Sequence, residues 1–281
     1  VLTERGWKHY RDVGNLKIAQ YNPKDNTIKF LPHKGLYVYN YNGKMYHFKD
    51  KRNDILVTPN HKILYKEPRQ KHYKWDEAQN IRYSKIQVLN SADYEGDGSK
   101  FFILPGIKHK QKRIHKKYTH QHRDKKIPMD LWLEFLGYYI TEGGIETVPT
   151  IGIVQNKGKN ADIIEGCMRK LCSILGCSLS KIDCGKYLRF KITQTQLYEY
   201  LKGFGDKCYS KILNLDYSQL TKNQLKILFN ALMLGDGCSK GKYFSCTSKK
   251  LSDEVQTIAH LIGKSASQRI HYFEGSGRGI R

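Results

Sequence analysis

The chain of 281 residues is long enough for about two domains, and a hydrophobic content of 39% is sufficient for packed cores. Lysine and arginine number 49 against 26 acidic residues, which gives a formal charge of +23. This excess favours a polyanionic partner, nucleic acid before an anionic membrane surface, because no stretch forms a long basic amphipathic helix.

Apolar runs and cysteine usage indicate the compartment. The sequence has no run of about 18 apolar residues and no signal peptide, so we expect no membrane partner and a cytoplasmic, DNA-associated location. The seven cysteines have no C-x-x-C spacing, which disfavours a zinc site and indicates a reducing environment. Three of them lie in an apolar helical stretch and are expected in the core: Cys167, Cys172 and Cys177.

Residues 1–104 have the pattern of an all-β domain. Short runs of valine, isoleucine and tyrosine are separated by turn sequences at 24–27 and 41–44. The only candidate for a helical period lies near residues 75–80. The composition by itself is compatible with many small β folds.

Residues 105–127 differ sharply in composition. The segment 108–126 carries nine lysines or arginines, one acid and four histidines. We predict an extended, poorly ordered linker that contacts DNA phosphate, and the crowded cations argue against a histidine metal site. The candidate contacts are Lys112, Arg113, Lys116 and Lys117.

Residues 131–144 (LWLEFLGYYITEGG) predict an apolar helix that ends on an acid and two glycines. Pro128 precedes it, and Asp130 is the predicted N-cap. Glu142 then lies at the negative end of the helix dipole, where a carboxylate is disfavoured unless a cation is present.

The next elements predict a sheet with one cationic face. A strand is expected at 150–155, an amphipathic helix at 162–175 and a helix at 196–201. Residues 186–192 alternate strictly, so Leu188, Phe190 and Ile192 face a core. The opposite face is either a DNA-contacting surface, which we favour, or an ordinary solvated face, and it carries Tyr187, Arg189 and Lys191.

The helix motif recurs 94 residues later as FNALMLGDG at 229–237, which aligns without gaps with 135–143. Both copies have small residues one turn apart, which allows two helices to pack closely, and a capping box is expected at Thr221 and Gln224. Parallel packing would bring Glu142 and Asp236 together at one end, where a divalent cation would relieve their repulsion. The alternative is two core helices with incidental terminal acids. A strand at 242–247, a helix at 248–263 and a strand at 266–272 are expected to follow.

The paired motifs resemble the LAGLIDADG helices of homing endonucleases, in the form found inside inteins, and 248–263 resembles the helix that follows the second motif. The resemblance implies an α+β fold: a pseudo-twofold domain at 128–281 with two αββαββα-type repeats, at about 128–210 and 211–281. It implies a monomer that cleaves both strands of double-stranded DNA with Mg²⁺, with Glu142 and Asp236 as metal ligands. Lys211 occupies the position of a frequent family lysine, although Leu213 replaces the usual proline. Lys242 and Arg269 are the further DNA-contact candidates of the second repeat.

Two segments of the N-terminal part resemble an intein splicing domain of the Hint type. Residues 1–8 are similar to the segment after the first intein block, and 55–62 is similar to the T-x-x-H block. This resemblance implies that Thr58 and His61 lie beside a splice junction with a flanking host protein. Position 1 is valine and the chain ends GRGIR, so the nucleophile and the cyclising asparagine of the family are absent. We therefore expect a fragment or a decayed element that does not splice alone.

Three functions remain open, and the short second repeat, with glutamate at 142 where the resembled family more often has aspartate, keeps a non-cleaving protein among them. By the 94-residue offset, Arg281 corresponds to Tyr187, so the second repeat is expected to lack its last strand and helix. The leading hypothesis is an intein-type homing endonuclease. The rivals are a DNA-binding remnant that does not cleave, such as a maturase-like protein, and a splicing element with a passenger endonuclease.

Overall fold

The computed structural model describes the chain except for residues 51–53, 68–69, 83–85, 90, 114–115, 147, 239–240, 274–276 and 281, and except for the side chains of 109–121 and 271–281. The helices in the described part are α1 (Met129–Glu142), α2 (Lys159–Leu175), α3 (Thr195–Leu201), α4 (Lys222–Gly235) and α5 (Lys249–Leu261). The first strands are β1 (Leu2–Thr3), β2 (Gly6–Trp7), β3 (Ile18–Asn22), β4 (Thr27–Leu31), β5 (Tyr46–Lys49), β6 (Asp54–Val57), β7 (Lys62–Lys66), β8 (Lys74–Glu77), β9 (Gln87–Val88) and β10 (Asp93–Tyr94). The later strands are β11 (Phe101–Leu104), β12 (Ile107–Arg113), β13 (Lys116–His122), β14 (Lys125–Pro128), β15 (Gly143–Ile145), β16 (Thr150–Asn156), β17 (Leu179–Asp183), β18 (Tyr187–Thr193), β19 (Ile270–Phe273) and β20 (Gly277–Ile280).

The N-terminal part is built from strands, as the sequence predicts, but it contains two separate clusters. One sheet has the order β10-β4-β3-β1-β2. Its β3–β4 hairpin turns at the predicted site, where Asn26 takes a positive φ of 54°. Strands β5 to β9 form two further small sheets around their own cluster of buried side chains, which includes Phe48, Ile63 and Tyr65. The predicted helical period near 75–80 is wrong, because it falls on β8 and a short 3-10 turn at Ala78–Asn80.

The predicted irregular linker is instead regular structure. Strands β12 and β13 form an antiparallel hairpin in which Ile107 pairs with His122, and β11 pairs with β14 just outside it. The prediction of a linker rested on the repulsion between cationic side chains. A β-hairpin forms through backbone hydrogen bonds, which composition does not predict. Lys112, Arg113, Lys116 and Lys117 lie on this hairpin, and their side chains are outside the described set.

The first repeat follows the predicted order of elements. Helix α1 is followed by an antiparallel sheet of order β15-β16-β18-β17, and β18 buries Leu188, Phe190 and Ile192 as its alternation predicts. One detail is wrong: the N-cap position is Pro128, without a side-chain cap, and Asp130 lies inside the first turn. Cys167 and Cys172 are buried on α2, and Cys177 is partly buried just after it.

The second repeat begins as predicted and then departs from the first. Thr221 and Gln224 form the capping box of α4, and Ser248 caps α5. The strand expected at 242–247 is reduced to isolated bridges such as Gly237 with Phe244, because no strand among the described residues forms a ladder with this segment as β18 does with β16. Strand β19 begins at Ile270, four residues later than expected.

The principal core crosses the domain boundary that the sequence suggested at residue 104. Buried Phe30 and Tyr94 of the N-terminal sheet belong to the same cluster as Leu133 on α1 and Leu228 on α4. The Tyr94 hydroxyl donates to the carbonyl of Tyr217 (2.5 Å), and the Tyr217 amide donates to the carbonyl of Glu4 (2.8 Å). The division into domains remains a prediction. No helix in the described part of the chain is both long and apolar enough to cross a membrane.

Candidate functional site

Helices α1 and α4 pack in parallel and in the register of the sequence repeat. A Cβ atom added at Gly137 would lie 2.5 Å from the Cβ of Ala231, and one added at Gly235 would lie 2.1 Å from Oγ1 of Thr141. Both contacts join residues that are 94 positions apart. The absence of side chains at these two glycines therefore lets the backbones meet, and the two helices end side by side.

Glu142 and Asp236 stand at these adjoining ends, and their charges interact. Glu142 is the last residue of α1, and Asp236 is the C-cap of α4, so each carboxylate faces a negative helix pole. Loss of solvation and the negative charge of Glu142 raise the pKa of Asp236 to about 6, although part of Asp236 stays open to solvent. Burial also raises the pKa of Glu142, and contact with the Gln155 side chain opposes that shift.

Lys211 supplies a buried cation to the same helix end. It is 5% exposed, and its ammonium donates to the carbonyls of Tyr139 (3.3 Å) and Gly143 (2.9 Å) at the end of α1. The ammonium also lies 4.3 Å from the ring centroid of Tyr139. Burial lowers the pKa of Lys211 to about 8, while the carboxylates of Asp206 and Asp236 act in the opposite direction.

Helix α5 fixes the segment that carries Lys211. The Ser248 hydroxyl donates to the carbonyl of Lys211 (2.7 Å). The buried carboxylate of Glu254 accepts from the amides of Leu213 (2.7 Å) and Asn214 (3.0 Å). Sequence reasoning missed both positioning residues, because they belong to an amphipathic helix whose partner lies about 40 positions away in sequence.

An open cleft of about 730 Å³ adjoins the helix ends, and Glu142, Gln155, Tyr187 and Gly235 are among its lining residues. Tyr187 is 38% exposed at the start of β18. Arg189 and Lys191 continue the same face of the sheet, but both are paired with an acid that sequence reasoning missed. The Nζ of Lys191 lies 2.7 Å from Oε2 of Glu146, and the Nε of Arg189 lies 3.8 Å from Oε1.

The remaining predicted residues lie apart from the helix ends. Lys242 is exposed in the loop after α4, and Arg269 is exposed just before β19. Thr58 and His61 bracket the turn between β6 and β7, where the His61 amide donates to the carbonyl of Thr58 (3.1 Å). Among the described residues, neither shares a hydrogen bond with the β1–β2 hairpin, in which the Val1 amino group donates to the carbonyl of Lys8 (2.7 Å).

The ligand chemistry of the helix ends suits a hard cation that keeps much of its water. The part of the chain that the structure describes has no group of three or more His, Cys, Asp and Glu side chains able to hold a metal ion. Two adjoining carboxylates that disfavour each other's charge nevertheless match the way Mg²⁺ binds, through one or two carboxylates with phosphate oxygens and water.

Comparisons with known proteins found proteins of similar sequence and solved structures of partly similar fold. No protein-family model matches the chain. The chain is 27% identical, over 95% of its length, to the ATP-dependent Clp protease proteolytic subunit of Chlamydomonas moewusii, and covers 27% of that protein. It is 24% identical, over 83% of its length, to the DNA-directed RNA polymerase subunit beta C-terminal section of Stigeoclonium helveticum, and covers 22% of it. The chain thus spans about a quarter of the length of these relatives.

Solved structures give a partial likeness. Variants of the homing endonuclease I-DmoI are similar over 54% of this chain and 87% of theirs, with 12% identity and a TM-score of 0.42. I-DmoI in complex with DNA and Mn is similar over 54% of this chain and 88% of that one, with 14% identity and a TM-score of 0.41.

Proposed function

We propose that this chain is a site-specific double-strand DNA endonuclease of the LAGLIDADG type that uses Mg²⁺. The observation that carries the proposal is the pair of helices in close parallel contact, with Glu142 and Asp236 at adjoining ends and buried Lys211 beside them. Parallel packing in the repeat register gives one acid per repeat. A duplex with two scissile phosphates requires such a pair of equivalent acids.

Each residue has a defined task in this proposal. Glu142 and Asp236 would hold Mg²⁺, which supplies charge stabilisation at phosphate and a more acidic bound water. Lys211 places a positive charge beside Asp236 and at the end of α1, and stabilises the negative charge that develops on a phosphate. Ser248 and Glu254 keep the Lys211 segment in place through its backbone.

The DNA-contacting surface is the outer face of the first repeat's sheet together with the β12–β13 hairpin. Tyr187, Arg189 and Lys191 share the outer face of the sheet. The hairpin carries most of the positive charge of residues 108–126, which suits contact with phosphates. Lys242 and Arg269 provide the corresponding cations of the second repeat.

We further propose that the chain belongs to an element inserted in a host protein, as inteins are. The two relatives are by name a protease subunit and a polymerase section, yet most of this chain matches about a quarter of each. A segment shared by proteins of unrelated activity is independent of proteolysis and of transcription. Thr58 and His61 would then be remnants of a splicing centre.

The proposed function is tested by Glu142→Gln and Asp236→Asn. Each substitution removes one ligand charge at a helix end and leaves the helix contact intact, so binding to duplex DNA in Ca²⁺ should persist. Cleavage of a randomised duplex library in Mg²⁺ should fall by a factor of about 10² or more, or stop at nicking. The matched control is Asp130→Asn, an exposed acid at the other end of α1, roughly 18 Å away along the helix.

Three outcomes decide between the hypotheses. Double-strand cleavage near the parent rate in either site variant would refute the assignment of the acids. A parent protein that binds duplex DNA without cleaving it would favour the DNA-binding remnant. Cleavage that is lost in Asp130→Asn as well would point to a general effect of charge rather than to the helix ends.

A further inference from the structure

Glu146 is an acid on the face of the sheet where cations are expected to meet DNA. It follows β15, and its amide donates to the carbonyl of Thr150 (3.0 Å). Its carboxylate bridges Lys191 (2.7 Å) and Arg189 (3.8 Å). In a chain of formal charge +23, an acid here weakens attraction to phosphate, so its presence calls for a reason beyond folding.

The sheet is shaped to hold this carboxylate. Gly152 pairs with Lys191 across β16 and β18, and Gly144 pairs with Gly152 from β15. A Cβ atom at Gly152 would lie 2.2 Å from Oε1 of Glu146. The carboxylate therefore occupies the space that a side chain at position 152 would fill, and it meets both cations from there.

The pairing affects the two cations differently. Glu146 forms an ion pair with Lys191 (2.7 Å), so the charge of that lysine is balanced before DNA arrives. The Nε of Arg189 is buried, and no hydrogen-bond partner for it exists among the described residues. It faces Glu146 at 3.8 Å, which orients the guanidinium, while the described residues give its terminal nitrogens no hydrogen bond. Such a guanidinium is prepared for a bidentate contact.

We infer that Glu146 is a specificity-determining residue that restrains Lys191 from phosphate and positions Arg189 to read a guanine edge in the major groove. This inference rests on the proposed function, since it requires duplex DNA on the outer face of the sheet. Arginine binds O6 and N7 of guanine in a bidentate manner, whereas a free lysine binds any phosphate. An acid that restrains the lysine and orients the arginine therefore raises the ratio of specific to non-specific affinity.

The test uses the full chain and two probes, a random-sequence 40-base-pair duplex and a duplex library selected by the parent protein in Ca²⁺. In Glu146→Gln, Lys191 is released to a phosphate, so the plot of log affinity against log salt on the random duplex should steepen by about one unit. Preference for the selected library should fall by about fivefold or more, the lower limit for one bidentate contact. The double variant Glu146→Gln with Lys191→Met should return the salt slope to the parent value.

Two further variants separate this role from charge and from folding. Glu165 also forms ion pairs with an arginine and a lysine, Arg169 (2.6 Å) and Lys181 (2.7 Å), but on the face of the sheet that packs against α2. Glu165→Gln therefore removes a comparable acid away from the proposed DNA-contacting face. It should leave the salt slope and the sequence preference near those of the parent. Gly152→Ala keeps the charge of Glu146 but displaces its carboxylate, and should reproduce the loss of preference.

The outcomes distinguish this inference from the proposed function. A parent that binds neither duplex would overturn both. If the parent binds DNA but Glu146→Gln and Glu165→Gln have the same salt slope and sequence preference, the inference about Glu146 is wrong and the proposed function stands.

Discussion

Asp236 is ionised at neutral pH in a place that opposes its charge. Its folded-state pKa of about 6 exceeds the ordinary value of 3.8, so between these values the folded state binds more protons than the unfolded state. The free energy of unfolding therefore increases as the pH falls from about 6 to 4, and the full penalty is present above pH 6. In the proposed function, that penalty is the stability given up to place a metal ligand at this position.

The first prediction concerns Asp236→Asn without metal. Removing the disfavoured charge should raise the melting temperature at pH 8 by about 1–3 °C, a small value because solvent still reaches the carboxylate. The gain should disappear at about pH 3, below both pKa values, where Asp236 is protonated in the folded and the unfolded state. Thermal unfolding in EDTA at the two pH values measures this effect. An equal gain at both would mean that the charge of Asp236 is not its cause.

At the scale of single residues, the sequence predicts the positions of residues that belong to the repeated motif. It does not predict residues whose roles depend on tertiary contacts. The placement of Glu142 and Asp236 at adjoining helix ends could be predicted because each ends a copy of one motif. Glu146 and Glu254 belong to no motif. Their roles depend on sheet register and on the docking of α5, which place them against backbone or cations distant in sequence.

Helix α5 acts on the site through Glu254, and this gives the second prediction. Glu254→Gln keeps the shape but leaves one of the amides of Leu213 and Asn214 without an acceptor, which should cost about 1–3 kcal/mol of unfolding free energy. Cleavage in Mg²⁺ should fall while binding in Ca²⁺ persists, because the segment of Lys211 loosens. Glu199→Gln, which breaks only an exposed pair with Lys202, should change stability by less than about 1 kcal/mol. Equal effects of the two substitutions would contradict this role of α5.

The close contact of α1 and α4 gives the third prediction. Gly137→Ala introduces a methyl group 2.5 Å from the Cβ of Ala231, so the helices must separate, at a cost of about 1–3 kcal/mol. Gly166→Ala in α2 meets open space and should stabilise by roughly 0.5–1 kcal/mol, because alanine favours the helix. Urea unfolding of both variants measures the difference. If both substitutions change the free energy of unfolding in the same direction, the close contact of α1 and α4 at Gly137 is not the cause of the effect.

A helix or strand can be predicted from the sequence when its own residues show the hydrophobic periodicity of that structure. The alternation of β18 and the apolar stripes of α1 and α4 can be read directly from residue order. The β12–β13 hairpin and the loss of the strand at 242–247 could not be read in this way, because a strand exists only with its partner. Pairing between strands is a property of the fold and not of a local segment.

At the scale of the whole molecule, the described chain has two hydrophobic cores. The larger one joins the N-terminal sheet to the paired helices, and strand β2 packs against α5. The smaller one is confined to residues 46–88. The N-terminal sheet therefore packs directly on the helices of the proposed endonuclease. The smaller core is separate from both.

The last prediction tests this division with one substitution in each core. Phe30 is 6% exposed and packs edge-to-face on Tyr94, whose hydroxyl holds the Tyr217 carbonyl in front of α4. Phe30→Ala should cost about 3–5 kcal/mol and accelerate amide hydrogen exchange in α4 and α5 as well as in the N-terminal sheet, because these elements share one core. Ile63→Ala, in the smaller core, should cost about 2–5 kcal/mol of local stability and accelerate exchange only between residues 46 and 88. If Phe30→Ala leaves α4 and α5 protected, the N-terminal sheet is a separable domain and the boundary expected at residue 104 is real.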